Sequence, residues 1–410
     1  MKKKVLFIAF TIWIFLFISF VFIKGIVPAW QEERSDFSNY YTSSVLLLKG
    51  EAISNFYNND WFYKQAINEG LKDGAKFAPF PPATAFLYLP LTIFPPLQAK
   101  RVWLFCNLLF LSLLIYQLKS ISTLNWLETL FIVSLFMFPI ASNIRLGQCY
   151  LFFTVILLVF LQKINAKKYT FAGFLLGLVA SLKYFPIVYF LYNFKNKRKT
   201  IIGIISSVAL ISLLPIIIND TSSYNAFINV FFNHLNGNLS GQGQFSFNFQ
   251  SVDALMSNLF IYDKQLNPNA VFNLPYLKTI FKSIFTLTVL FFAIKVYKNS
   301  THQTKNIAIG ASIIGASLLI PASAAYHLLL LIPSSFLILN FLKKRNNSTK
   351  ETALIIFLIF ISCNIQTHHI PNFEFNQTIN ILVHFPRLFG LIALFIILYF
   401  LNKKHLQTNG

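Results

Sequence analysis

Apolar runs of about 15 to 25 residues recur from one end of the chain to the other, separated by short polar and basic stretches, and such runs enter or cross a bilayer as helices. The pattern predicts an all-α polytopic membrane protein with about twelve transmembrane helices. The first run, Val5 to Trp30, follows MKKK as the apolar core of a signal peptide would. It is too long for that role and lacks a small-residue cleavage site, so it reads as a retained helix.

Basic clusters orient the runs. NKKH (402–405), KKRNNSTKE (343–351), KNSTHQTK (298–305) and KNKRK (195–199) lie between apolar runs and are assigned to the cytoplasmic side. Residues 31–81, 219–278 and 366–380 then face outward, and they hold eleven of the thirteen Asp and Glu residues. Both termini come out cytoplasmic. KINAKK (163–168) also reads as inner, so Tyr169 to Tyr192 must go out and return as two half-length helices meeting near LKYFP (182–186), with Pro186 permitting the break. The proline-rich PFPPATAFLYLPLTIFPP (79–96) is then re-entrant, the alternative being that it spans. No repeat of fixed period is present, which predicts one membrane domain, 1–410, with 31–81 as first outer loop and 219–278 as a long outer loop.

Just past the first run, Phe37, Tyr40, Tyr41, Ser44, Val45 and Leu48 recur at i, i+3, i+4 spacing. They predict an amphipathic helix on the outer surface with its tyrosines at headgroup depth, Ser35 or Asp36 as N-cap and Gly50 at its end.

Of the 410 residues, 56% are hydrophobic and only 11% charged, yet the net charge is +21. That excess would suit nucleic acid, but its placement in clusters between apolar runs is a topology signal, and no nucleic-acid partner is expected. Cys106, Cys149 and Cys363 sit in or beside apolar runs without ligand spacing, so neither a disulfide framework nor a metal site is predicted. GQGQFS (241–246) is not a nucleotide loop, and no phosphate loop or acidic D-x-D pair is present. These features argue against a soluble nucleotide donor, and no cofactor is expected.

Ionisable side chains at membrane depth cost about 2.5 to 3.5 kcal/mol on insertion scales and are functional candidates for that reason. They are Arg145, Lys183 and His327, which with Gln148 and Asp36 fall near the outer ends of their segments. Cations around one carboxylate suit a phosphate-bearing lipid whose headgroup is processed there. Each has a plainer role available: Asp36 as a helix cap, Arg145 and Lys183 snorkelling from helix ends, His327 packing in the interior. Glu128, near a helix start, is more easily explained by a cap or by the interface.

DFSNYY (36–41), FAPFPPATAFLYLPLTIFPP (77–96), the GQ of RLGQCYLFF (145–153), GFLLGLVASLKYFPIVYF (173–190), FNFQSV (247–252) and PASAAYH (321–327) occur in this order. The ordered set resembles the polyprenol-phosphate-mannose-dependent mannosyltransferases of glycosyltransferase family 87, integral membrane enzymes of the GT-C fold. The resemblance implies a polyprenyl-phosphate sugar donor, a glycolipid or glycan acceptor, and inverting transfer on the outer face of the plasma membrane. It implies Asp36 as general base and His327 near the donor phosphate or acceptor. Lys183, Arg145 and Gln148 are the donor-phosphate candidates, and Tyr40, Tyr41, Gln250 and Ser251 are candidates for acceptor contact or for shaping the loops. Two departures stand out: the family usually surrounds its late histidine with tryptophan or a second histidine, where this chain has PASAAYHLL, and the last stretch after residue 330 carries no family motif. A polymerase or ligase using diphosphate-linked oligosaccharide would want a more basic outer loop than Lys264 and Lys278 provide. A multi-span transporter would tend to show repeated halves.

Overall fold

The computed structural model of the chain describes residues 2–32, 36–218, 221–235, 243–301, 304–344, 349–367, 370 and 376–407. Ser35 and the histidine pair His368 and His369 lie outside them. The described residues are helical, with no strand among them beyond a lone bridge between Asp263 and Asn267. Among the described residues, six helices are long and apolar enough to cross a bilayer: Phe7–Gln31, Pro96–Ser120, Lys197–Ile218, Pro275–Lys298, Ala325–Lys344 and Pro386–Lys404. Trp126–Ser134 and Met137–Leu146, bent by 67°, make a seventh if taken as one broken span. The expected twelve counted every apolar run as a crossing, but several fold short. Tyr150–Asn165 has 16 residues, which at about 1.5 Å each reaches roughly 24 Å, less than the roughly 30 Å hydrocarbon core. Pro82–Leu91, Tyr169–Leu182 and Lys305–Leu318 are shorter still.

Where the sequence reading expects one domain, the contacts within the chain group it into two compact units, Met1–Phe131 with Ile140–Gly241, and Ile132–Pro139 with Gln242–Gly410. In the first unit, Tyr169–Leu182 packs on Lys197–Ile218 through small residues. A Cβ on Gly173 would lie 2.1 Å from the Thr200 carbonyl oxygen, and one on Gly203 would lie 2.0 Å from that of Thr170. Glycine is therefore required for the helices to approach this closely, and the G-x-x-x-G of Gly173 and Gly177 is the sequence mark of it. The helix ends at Leu182, Lys183 is extended, and a 3₁₀ segment, Phe185–Asn196, follows with Pro186 in its first turn. The break expected near LKYFP is there.

The proline-rich stretch does not form a spanning helix. It folds as two 3₁₀ turns, Pro82–Phe86 and Leu89–Leu91. Irregular backbone inside a membrane protein survives only where protein groups satisfy it, and here they do: the hydroxyls of Ser44 and Tyr57 donate to the carbonyls of Ala85 (2.6 Å) and Phe80 (2.7 Å).

Phe37–Leu48 is a helix, as predicted. Gly50, at φ +79°, closes it in a Schellman arrangement, with Gly50 N–H on Leu47 O and Glu51 N–H on Leu46 O. The amphipathic surface placement is corrected, however. Ser38, Thr42, Ser43 and Ser44 are buried along with Phe37, Tyr40 and Tyr41, while Leu48, part of the predicted apolar stripe, is exposed. The helix is enclosed by protein because its small hydroxyl-bearing face packs as closely as its aromatic face.

In the second unit, Lys305–Leu318 packs against Pro275–Lys298, Ile332–Lys344 and Pro386–Gln407. Ser251 caps Val252–Phe260 by accepting the Ala254 N–H. Asp253, buried, joins this helix to the next one through Lys282 (2.6 Å) and Lys278 (3.3 Å). Asp263 accepts the N–H groups of Leu266 and Gln265, which holds its carboxyl below the ordinary range and closes the exposed turn.

Candidate active site

In the first unit, the helix Phe7–Gln31 delivers the chain to Glu32, which is held at two points. The Lys100 ammonium donates to its carbonyl at 2.6 Å, and its carboxylate pairs with Arg145 at 3.3 Å. Four residues on, Asp36 occupies the backbone N-cap position of Phe37–Leu48, yet its side chain makes no capping hydrogen bond. Its Oδ2 instead accepts the Gln148 side-chain N–H at 2.7 Å. Gln148 Oε1 in turn accepts the Tyr40 hydroxyl at 2.7 Å. Because a hydroxyl donates to the amide oxygen on one side, the amide nitrogen faces the carboxylate on the other, and Asp36 Oδ2 is held as an acceptor.

Gln148 is fixed by its backbone as well as its side chain. Gly147 adopts φ +65°, and a Cβ there would lie 2.7 Å from Phe37 Cβ. The left-handed turn and the close approach together explain the G-Q pair. Tyr88 hydroxyl donates to Gly147 O (2.7 Å), Trp103 Nε1 to Gln148 O (3.2 Å), and Gln148 N to Asn143 O (2.9 Å). Asn143 also accepts Tyr150 N–H at 2.9 Å and donates to Asn107 at 2.8 Å. Asn107, Asn143, Tyr88 and Trp103 were not singled out by sequence reading; the two asparagines, polar within apolar runs, carried the signal.

The Tyr40 ring stacks on Phe80 at 4.8 Å between centroids. Lys183 Nζ lies 3.6 Å from the Phe80 centroid, 5.7 Å from that of Tyr40 and 6.0 Å from that of Tyr150. Its ammonium is thus held in an aromatic cage beside the Asp36–Gln148–Tyr40 chain. Arg145, half-exposed, belongs to the Glu32 anchor. Tyr41 faces elsewhere. Its hydroxyl donates to Phe94 O at 2.9 Å, and burial, then the charge of Glu69, pushes its pKa up and keeps it a neutral donor.

The second unit holds the remaining candidates. His327 lies in the 3₁₀ turn Ala325–Leu331, where its Nδ1 accepts the Ala324 N–H at 3.1 Å, so a neutral ring carries its proton on Nε2. Gln250 donates through Nε2 to Phe247 O (2.7 Å) and His384 O (2.8 Å), and accepts Arg387 N–H (3.2 Å). Its backbone N–H donates to Ser323 O at 3.0 Å, and the Ser251 hydroxyl donates to Pro321 O. The side chains of Gln250, Ser251 and Tyr41 are thus buried and hydrogen-bonded to backbone carbonyls. FNFQSV and PASAAYH are therefore stitched together. Among the described residues no group of three or more His, Cys, Asp or Glu converges as metal ligands do.

No curated protein and no solved structure gives a match to the chain. The model of glycosyltransferase family 87 matches residues 77–321, a stretch that contains Arg145, Gln148, Lys183, Gln250 and Ser251, begins after Asp36 and ends before His327. With more than half of its length matched, including the glycine–glutamine turn that holds Asp36, this chain belongs to glycosyltransferase family 87.

Proposed function

We propose that this membrane glycosyltransferase moves a hexose, mannose in our reading, from a polyprenyl-phosphate donor to a glycolipid or glycan acceptor, with inversion, on the outer face of the plasma membrane. The observation that carries the reading is Asp36, a half-buried carboxylate turned away from capping its own helix and held through one oxygen by Gln148.

An inverting transfer needs one carboxylate. Asp36 takes the acceptor hydroxyl proton as that oxygen attacks the anomeric carbon, and the bond from that carbon to the phosphate oxygen breaks on the opposite face. The electron pair leaves with the phosphate, and the proton ends on Asp36. Gln148 and Tyr40 orient the base, so they are positioning residues. Lys183, in the same unit as Asp36, supplies charge for the departing phosphate. A phosphate leaving group needs no protonation on the scale an alkoxide would.

The test is incubation of the purified chain with polyprenyl-phosphate mannose and membrane glycolipids, followed by mass spectrometry. An added hexose from the lipid donor, and none from a sugar nucleotide, is the expected result. Transfer from the nucleotide alone would overturn the donor class.

A further inference from the structure

Within the second unit, the helices Thr349–Asn364 and Pro386–Gln407 pack against each other. Gly390 lies on Ser362, so close that a Cβ on the glycine would come 2.5 Å from the serine Oγ. Glu351, in the first turn of one helix, accepts from the Lys404 ammonium near the end of the other, at 2.6 Å. These two contacts run the helices antiparallel. Toward the Glu351–Lys404 end a groove of about 450 Å³ opens between them, a volume within the roughly 300 to 1,000 Å³ that ligand pockets occupy.

The lining divides by chemistry along the helices. Leu354, Ile355, Ile397, Phe400 and Leu401 form apolar walls, and Glu351, Lys403 and Lys404 lie nearer the helix ends. Ile355 and Leu401 are buried beneath the groove, whereas Leu354 is 44% and Phe400 60% exposed. Large apolar side chains left open beside a groove are completed by hydrocarbon, not by water. The Glu351–Lys404 pair is neutral as a whole, so the exposed Lys403 ammonium leaves the lining with a net positive charge. Lys350 precedes Glu351, and Lys343 and Lys344 close the helix Ile332–Lys344 before it, so this end of the unit is basic. Ammonium groups at the end of an apolar slot, on a candidate span, follow the order of headgroup and acyl chain in one leaflet. A soluble anion would leave the walls uncovered, and an apolar peptide would leave the positive charge unanswered.

We propose that this groove binds an anionic phospholipid. One acyl chain lies along Leu354, Ile397 and Phe400, and the headgroup phosphate accepts from the ammonium groups of Lys403 and Lys404. An ammonium has three donors, so Lys404 serves the phosphate while keeping Glu351. The site does not depend on the transfer mechanism, and every lining residue lies after the stretch that the family model matches.

The experiment adds dioleoyl phosphatidylglycerol with a photoreactive acyl chain to the purified full chain in neutral detergent. Native mass spectrometry reads the bound lipid, and digestion locates the crosslinks. Phosphatidylcholine with the same chains and glycerol phosphate are the controls. Phosphatidylglycerol should bind about fivefold or more tightly than phosphatidylcholine, crosslink to 349–364 or 386–407, and resist competition by glycerol phosphate. Lys403→Gln leaves the Glu351–Lys404 pair in place and should lower phosphatidylglycerol affinity about fivefold, the scale of one lysine beside anionic lipid, with phosphatidylcholine unaltered. Ile397→Trp should fill the groove and remove the crosslinks. Parental affinity in Lys403→Gln, or crosslinks that persist in Ile397→Trp, overturns the proposal. So does competition by glycerol phosphate, which makes a soluble anion the occupant, or a dimer forming in place of lipid binding, which makes a second copy the occupant. Should Ile397→Trp fail to fold, Leu354→Gln at the exposed wall decides: it should weaken both lipids, and unchanged crosslinking there is equally fatal.

Discussion

Gln148 donates its side-chain amide to the Asp36 carboxylate at 2.7 Å, across 112 positions of sequence. The same amide accepts from Tyr40, one helical turn beyond Asp36, so a single residue holds both the carboxylate and the start of the helix that carries it. The consequences are measurable.

Asp36→Asn keeps a side chain that can still accept from Gln148, and Asp36 makes no cap that the change would remove. Thermal stability should stay within a few degrees while turnover falls about a hundredfold or more, the usual scale for losing a general base. Near-parental turnover would place the base elsewhere.

Gln148→Glu puts a second carboxyl against Asp36. Two like charges at hydrogen-bond distance disfavour the ionised pair, so the base becomes protonated at higher pH. The acid limb of the pH–kcat profile should move to higher pH, with activity partly recovered in alkaline buffer. A purely structural role for Gln148 predicts an unshifted limb.

Gly147→Ala forces an L side chain into the left-handed region, at a cost of about 1 to 2 kcal/mol, and drives its Cβ into Phe37. Both the melting temperature and turnover should fall, because Phe37 and Gln148 flank the carboxylate. Parental values for both would show that the turn is not under this constraint.

Gln250→Ala leaves the His384 carbonyl and the Arg387 N–H without their partner, and the Phe247 carbonyl with the longer bond from the Thr367 hydroxyl (3.4 Å). Each stranded buried group costs about 1 to 3 kcal/mol, so the variant should melt several degrees lower. A marked rise in KM with unchanged stability would instead point to direct acceptor contact.

Gln265 and Asn299 are both exposed and are separated by Pro275–Lys298, a 24-residue candidate span, about 36 Å long at 1.5 Å per residue. In intact cells, Gln265→Cys should react with an impermeant thiol reagent, and Asn299→Cys only after permeabilisation. The reverse pattern would invert the chain and remove the outer-face mechanism.

Local chemistry was legible in the residues themselves. The helix after Asp36 and its glycine stop, and the break at Lys183 before Pro186, follow from backbone preferences that act over a few positions. The all-helical membrane class follows from the length of the apolar runs, since hydrocarbon tolerates only internally satisfied backbone. The ordered motifs pointed to glycosyltransferase family 87, and the family match bears that out.

Partner choice was not legible. Asp36 at an N-cap position reads as a cap, but only the packed chain brings Gln148 within reach and turns the carboxylate away. Arg145 and Lys183 look alike as isolated cations, yet one pairs with Glu32 at a half-exposed anchor and the other is enclosed by Phe80, Tyr40 and Tyr150. Adjacent Tyr40 and Tyr41 part in the same way, one joining the carboxylate chain and the other bonding Phe94 O. Among the described residues six or seven helices are long and apolar enough to cross, against about twelve expected, because hydropathy measures how apolar a run is, whereas packing decides whether it stays helical over that length. Helix and turn signals are set by neighbours in sequence, but the direction of a polar side chain is set by whichever donor or acceptor the fold delivers, here from more than a hundred residues away.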